Sequence, residues 1–208
     1  MIEVLSHRGY WLSPEEKNSV AAFHRSFDMG FGTETDLRDF HGELVISHDP
    51  PLGGELRFDE FLDILGGRDL PLALNIKADG LAQRVKSAMD QRGLRNWFVF
   101  DMSVPDTLQQ IKAGCRVFAR VSDWEQGMHW HERCAGIWLD AFDEDWFSTS
   151  DVAGLLQTRS RVCVVSPELH GRDPRRAWER LRPLAAQDGL SICTDVPEEA
   201  VRYFKEQR

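Results

Sequence analysis

The sequence predicts an α/β chain folded as a small, compact (β/α)8 TIM barrel, on three observations. Eight short apolar runs, rich in β-branched and aromatic residues, alternate with longer amphipathic stretches, the pattern of a parallel sheet crossed by helices. The glycine-rich G-x-G-x-x-G turn that an open doubly wound sheet would want after its first strand is absent. The length, 208 residues, suits one domain spanning 1–208. It sits at the lower end for eight β/α units, yet is long enough to bury a core without disulfides or a structural metal.

Strands are expected, in order, at 2–6, 33–37, 72–77, 97–100, 116–121, 136–139, 161–165 and 190–194. A further run at 44–47 can pair with the second strand across His41-Gly42. The first helix is expected at 19–29, with Asn18 as N-cap and Gly30 as its stop. Helices follow at 58–65, ending at Gly66-Gly67, and at 81–92, ending at Gly93. Pro105 sits in the first turn of a helix that stops before Gly114. The last two run over 174–187 and 198–205. Apolar periodicity is poorest around 124–133 and 148–157.

A formal net charge of −9 argues against general nucleic-acid binding, which needs a basic surface. An anionic substrate must then be drawn in by local positive charge or a metal. Of the four cysteines, none stands at CxxC spacing, and Cys163 and Cys193 lie inside apolar runs, where cysteine acts as a small hydrophobe. The first residues lack the basic start and apolar stretch of a signal peptide. No run approaches the ~18 apolar residues of a membrane span. A reducing cytoplasm is the expectation.

The first strand ends in Ser6-His7-Arg8-Gly9. In a (β/α)8 barrel, residues just past a strand's C-terminal end line the active face. Histidine exchanges a proton near neutral pH, and arginine forks onto two phosphate oxygens. The second strand carries Glu34 and Asp36, which alternation puts on one face. Leu37 suits the helix side and sends both carboxylates inward. Two inward carboxylates repel one another and need a cationic partner. A divalent metal suits them, and so does a salt bridge to Arg8 or Lys77. His48 and Asp49 follow the run at 44–47, so a second imidazole falls at a strand end. In the third strand, alternation sends Ala73, Asn75 and Lys77 inward, where Lys77 can bind phosphate as a point charge or neutralise Glu34 and Asp36. Asp101, Asp140, Glu168 and Asp195 stand at other strand ends and are read as helix caps or solvated loop residues. Glu168 is the one most able to reach the same mouth.

From His7 to Asp49 the chain resembles the glycerophosphodiester phosphodiesterase family. The resemblance rests on His7-Arg8-Gly9, then Asn18-Ser19 before a helix with Ala21, Ala22 and Phe23. Gly30, Glu34-x-Asp36, Gly42 and His48-Asp49 follow in the family's order, and Lys77 resembles the lysine that ends its third-strand motif. Thr194-Asp195-x-Pro197 is similar to its last β/α unit. The resemblance implies a phosphodiester hydrolase acting on a glycerophosphodiester or related small phosphodiester of lipid metabolism. It implies one divalent cation (Mg2+, Ca2+ or Mn2+) held by Glu34 and Asp36 with Asn75 at the third ligand position. His7 and His48 would be general acid and base, and Arg8 and Lys77 would steady the phosphate.

Three departures stand out. Lys17 occupies the place of a family glutamate, and Asn75 that of a glutamate ligand, which removes one negative charge from the metal site; Glu168, Asp101 or Asp140 could compensate. The stretch from His48 to the third strand is short, which leaves the pocket open on one side. Two rival readings follow. One is a barrel that binds phosphodiesters or phosphosugars with little turnover. The other is an unrelated phosphosugar isomerase or aldolase using Lys77 as a Schiff-base amine, which leaves both histidines and the acidic pair without a task.

Overall fold

The computed structural model describes residues 1–125, 132–158 and 161–205. The chain forms two compact units, Ser6–Val117 and Met1–Leu5 with Phe118–Arg208. Strand β1 (Glu3–His7) contributes to both.

In the unit Ser6–Val117, α1 (Val20–Asp28), β2 (Gly32–Phe40), β3 (Glu43–Ile46) and α2 (Phe58–Leu65) are followed by β4 (Leu72–Ile76), α3 (Ala82–Gln91), β5 (Trp97–Phe100) and α4 (Val104–Lys112). The strand order is β5-β4-β2-β1, with β3 off that path as an antiparallel arm of β2. β2, β4 and β5 are parallel. The register sets Glu34 opposite Ala73 and Asp36 opposite Asn75. The β2–β3 hairpin turns on His41 (φ 48°) and Gly42 (φ 85°), the two left-handed positions that a right-twisted two-residue hairpin loop requires.

Helix α1 shows why local sequence matters to the site. Its N-cap is Ser19, whose hydroxyl accepts the amide of Ala22. Asn18, the expected cap, instead takes a left-handed backbone (φ 59°), which frees its amide for another task. Phe23 and Phe27 on the inner stripe of α1 meet Phe61 of α2, with Phe23 edge-on to it at 4.7 Å. This buried aromatic contact holds the two helices together.

In the second unit, β6 (Phe118–Val121), β7 (Gly136–Leu139), α5 (Thr149–Thr158), β8 (Val162–Val165), α6 (Arg175–Leu181), β9 (Leu190–Thr194) and α7 (Pro197–Lys205) follow one another. The strand order is β1-β9-β8-β7-β6, and the β6–β9 ladders are parallel. The helix expected at 174–187 is shorter. It ends at Leu181 and passes into a 3-10 turn, Arg182–Leu184, because Pro183 has no amide to continue the ladder. The weakly periodic 148–157 is helix α5. Of 124–133, residues 126–131 lie outside the described residues. Among the described residues, helices separate the successive parallel strands except between β6 and β7, the alternation the sequence predicts. All four cysteines are buried.

Glu168 is spoken for within this unit. It accepts from the hydroxyls of Ser166 and Thr194 and from the amide of Asp195, which clasps the ends of β8 and β9. Asp140 accepts from the Ala141 amide and stands 2.8 Å from His170 Nε2. Both are structural anchors here.

Candidate active site

The site is built where β1 and β4 end, around the carboxylates carried by β2. Ser6 fixes the start. Its hydroxyl meets those of Ser26 (2.7 Å) and Thr33 (2.9 Å), tying β1, α1 and β2 together. The chain then turns through Arg8 (φ 58°) and Gly9 (φ 81°). A Cβ on Gly9 would lie 2.8 Å from Ala22 Cβ and 2.9 Å from its carbonyl carbon, so only glycine lets β1 leave this close to α1. The Arg8 carbonyl accepts from the Asn18 amide at 2.8 Å, which presents both side chains to the same carboxylate.

That carboxylate is Asp36, fully buried, beside Glu34 at 2% exposure. Asp36 Oδ2 lies 2.7 Å from Arg8 Nε and accepts from Asn18 Nδ2 at 2.9 Å. The Arg8 contact is an ion pair without hydrogen-bond alignment. Asn18 Oδ1 in turn accepts the Thr35 hydroxyl. Lys77, just past β4, sets its ammonium 3.6 Å from Asp36 Oδ1 and 3.6 Å from Asp101 Oδ2. His7 Nε2 lies 3.9 Å from Glu34 Oε2. The carboxylates do face inward, and both salt-bridge partners offered by the sequence meet Asp36.

Glu34 has a carboxyl pushed up to about 8. Burial is the main cause and the Asp36 charge adds to it; Arg8, Lys77 and a hydrogen bond from Asn75 pull the other way. Between the ordinary carboxyl value and about 8, the folded chain holds a proton that the unfolded chain releases. Stability of the chelator-treated protein is therefore expected to fall as pH rises across that window. Urea titrations at stepped pH test this. Glu34→Gln should flatten the slope, and an unchanged slope in that variant would assign it elsewhere.

Three oxygens in this cluster, Glu34 Oε2, Asp36 Oδ1 and Asn75 Oδ1, are buried without a hydrogen-bond partner. Uncompensated buried oxygens are costly. Hard divalent cations take oxygen ligands, so this donor set fits one. Among the described residues no group of three or more His, Cys, Asp or Glu side chains is placed to hold a metal. The trio itself joins two carboxylates to one neutral amide, Asn75.

His48 stands elsewhere. It follows β3, is 48% exposed on its side chain, and sets Nδ1 2.9 Å from Asp49 Oδ1. It lines a cavity of about 850 Å3 whose wall also includes Arg8, Lys17 and Asn18. Arg8 and Asn18 thus touch Asp36 and also line this cavity with His48. Sequence reasoning missed Asn18 as a site residue, reading it as a cap. Asp101, read as a cap or loop residue, pairs with Lys77 in a left-handed backbone (φ 74°), while Ser103 caps α4. A polar residue next to a second good capping residue was the available signal for Asn18.

No protein-family model matches the chain, and no curated protein matches it. Solved structures do. A glycerophosphodiester phosphodiesterase from Agrobacterium tumefaciens superposes with a TM-score of 0.69 at 18% identity, covering 98% of this chain and 99% of that one. A phosphodiesterase from Oleispira antarctica, in complex with the product sn-glycerol-3-phosphate, gives 0.70 at 16%, covering 98% and 97%. A Ca2+-dependent phosphatidylinositol-specific phospholipase C from Streptomyces antibioticus gives 0.57 at 13%, covering 98% and 96%.

The fold is a (β/α)8 barrel, shared with these solved structures. In such a barrel, the loops after the strands' C-terminal ends form the active face. His7 ends β1, Arg8 follows it, and Lys77 follows β4. The buried oxygen trio lies in the β2–β4 ladder, with Asp36 opposite Asn75 two residues before Lys77. Among the described residues, no helix is long and apolar enough to cross a membrane.

Proposed function

We propose that this chain is a metal-dependent phosphodiester hydrolase acting on glycerophosphodiesters or related small phosphodiesters. The observation that carries the reading is the trio of buried oxygens without a hydrogen bond on Glu34, Asp36 and Asn75, beside two cations, Arg8 and Lys77. The glycerol-3-phosphate product in the Oleispira antarctica enzyme and the Ca2+ dependence of the phospholipase C support the substrate class and the cofactor.

Glu34, Asp36 and Asn75 would hold one divalent cation, Mg2+, Ca2+ or Mn2+, which when bound polarises a phosphate oxygen as a Lewis acid. Arg8, in the cavity wall, offers the planar fork that suits phosphate, and Lys77 adds a point charge. One imidazole takes the proton of the attacking hydroxyl, from water or from the substrate, as the new P–O bond forms. The other donates a proton to the leaving alcohol as its P–O bond breaks. Asp49 on His48 Nδ1 leaves Nε2 for that exchange. Asn18 and Arg8 hold Asp36 in place. The four cysteines, all buried, agree with a cytoplasmic protein.

Asn75 favours a second reading, binding with slow turnover, because a neutral ligand holds a cation more weakly than a carboxylate does. One experiment separates the two. Hydrolysis of glycerophosphodiesters and of an aryl phosphodiester is followed after chelation and with each cation restored. The first reading expects activity lost on chelation and recovered with metal. Asn75→Glu should tighten the metal by about tenfold or more, read by calorimetry. Turnover that emerges only in Asn75→Glu identifies the second reading. Activity surviving both chelator and His48→Ala sinks the scheme.

A further inference from the structure

The cavity beside Arg8 has a composition that the phosphate chemistry does not use. At about 850 Å3 it is at the upper part of the range that buries a whole drug-sized ligand, far more than a phosphate needs. One wall is cationic. Arg8 borders it, and Lys17 stands with its ammonium 4.5 Å over the Trp11 ring. Another wall is aliphatic: Val20, Ile46, Leu56 and Ile64. The carboxylates in its lining are turned to their own loops. Glu55 accepts the amides of Leu52 (2.7 Å) and Gly53, Glu60 accepts that of Arg57 (3.0 Å), and Asp49 faces His48.

The two segments that flank this cavity each expose a leucine. Leu52 is 94% exposed and Leu12 is 68% exposed. Neither is a loose loop tip. Glu55 holds the Leu52 amide and Glu16 holds the Leu12 amide at 2.9 Å. Those backbone bonds are the chief cause that keeps both carboxyls below the ordinary range. Glu16 is anchored further by Arg25 at 2.9 Å. Both exposed leucines are thus borne on clamped backbone, Leu52 two residues before Gly54 of the cavity lining and Leu12 next to Trp11, over which Lys17 stands.

We infer that the substrate is an amphiphilic phosphodiester. Its phosphate lies against Arg8, and the alcohol it carries has an alkyl chain or similar apolar body that fills the cavity along Val20, Ile46, Leu56 and Ile64, with Leu12 and Leu52 as its lip. The inference rests on the phosphodiesterase reading for the phosphate and adds the class of alcohol. Lys17 enlarges the cationic edge where the phosphate enters. The short connection after His48 leaves the apolar wall open to a chain longer than the cavity.

The test measures binding apart from turnover. Straight-chain alkyl phosphates from butyl to decyl, each below its micelle concentration, are titrated calorimetrically into the protein in Mg2+ buffer. Affinity should rise by about three- to fourfold per methylene until the cavity is filled. Leu56→Ser and the more exposed Val20→Ser should each flatten that rise while leaving butyl phosphate affinity within about twofold. Circular dichroism checks that both fold. Leu12→Ser/Leu52→Ser should reduce the gain for the longest members, and an unchanged gain there refutes the lip. Affinity that stays flat along the series, or rises equally in both wall variants, overturns the inference. Failure of the hydrolase reading registers separately, as no hydrolysis of alkyl glycerol phosphodiesters despite a normal affinity series.

Discussion

Arg8→Ala is expected to lower kcat/KM for a phosphodiester by about 10^2–10^3-fold, the usual effect of losing a donor aimed at developing charge. It should also destabilise the protein by about 3 kcal/mol, the lower end of the cost of breaking a buried pair. The lower end applies because Lys77 and Asn18 still face Asp36 after Arg8 has gone. Backbone strain does not confuse the result, since Arg and Ala both carry a Cβ at φ 58°. Arg8→Lys keeps the charge and loses the fork, so it should recover stability better than activity. Steady-state kinetics and urea unfolding measure the two effects. A variant with wild-type kinetics and a wild-type unfolding midpoint would remove Arg8 from both roles.

His7→Ala and His48→Ala should each cost about 10^2–10^4-fold in kcat, the range for a lost general acid or base. The two histidines differ in setting. His7 is largely buried near Glu34, whereas His48 is about half exposed and leans on Asp49. If both exchange protons in the reaction, the pH–rate profile is bell-shaped and each variant loses one limb. The limb that disappears identifies which imidazole is the acid and which the base. Asp49 is 87% exposed, so Asp49→Asn should change kcat by about twofold at most, as exposed pairs contribute little. A wild-type rate in His48→Ala would leave His48 as cavity wall alone.

Much of this could be read from the sequence because it depends on alternation. Glu34 and Asp36 share a face of β2, Leu37 is fully buried beside them, and Asn75 falls opposite Asp36. Period-two geometry alone brings these together. The ends of β1 and β4 were legible for the same reason, from apolar runs that stop at His7 and before Lys77. Asn18 was not, because two adjacent residues, Asn18 and Ser19, both suit a helix cap. Which one caps depends on Arg8, whose carbonyl takes the Asn18 amide from ten residues away. The cavity was hidden for a similar reason. Its aliphatic wall joins Val20 of α1 to Ile46 of β3, Leu56 and Ile64, residues with no shared period. Glu168 pointed to the mouth on position alone. Its oxygens are consumed by Ser166, Thr194 and the Asp195 amide, partners that only tertiary structure supplies.

The division of labour along the chain has an evolutionary corollary. Of the groups proposed to act, His7, Arg8, Glu34, Asp36, Asn75 and Lys77 sit in or next to β1, β2 and β4, whose backbone is committed to the sheet, and His48 follows β3. Much of the recess next to them comes from Ile46 at the end of β3 and from positions 54–64, joined to β3 by the Ile46 amide on the Leu56 carbonyl and held by the side-chain clasps of Glu55 and Glu60. Exchanges confined to positions 50–57 keep His48 and the strand-borne groups in place, and are the natural route to retargeting the cavity.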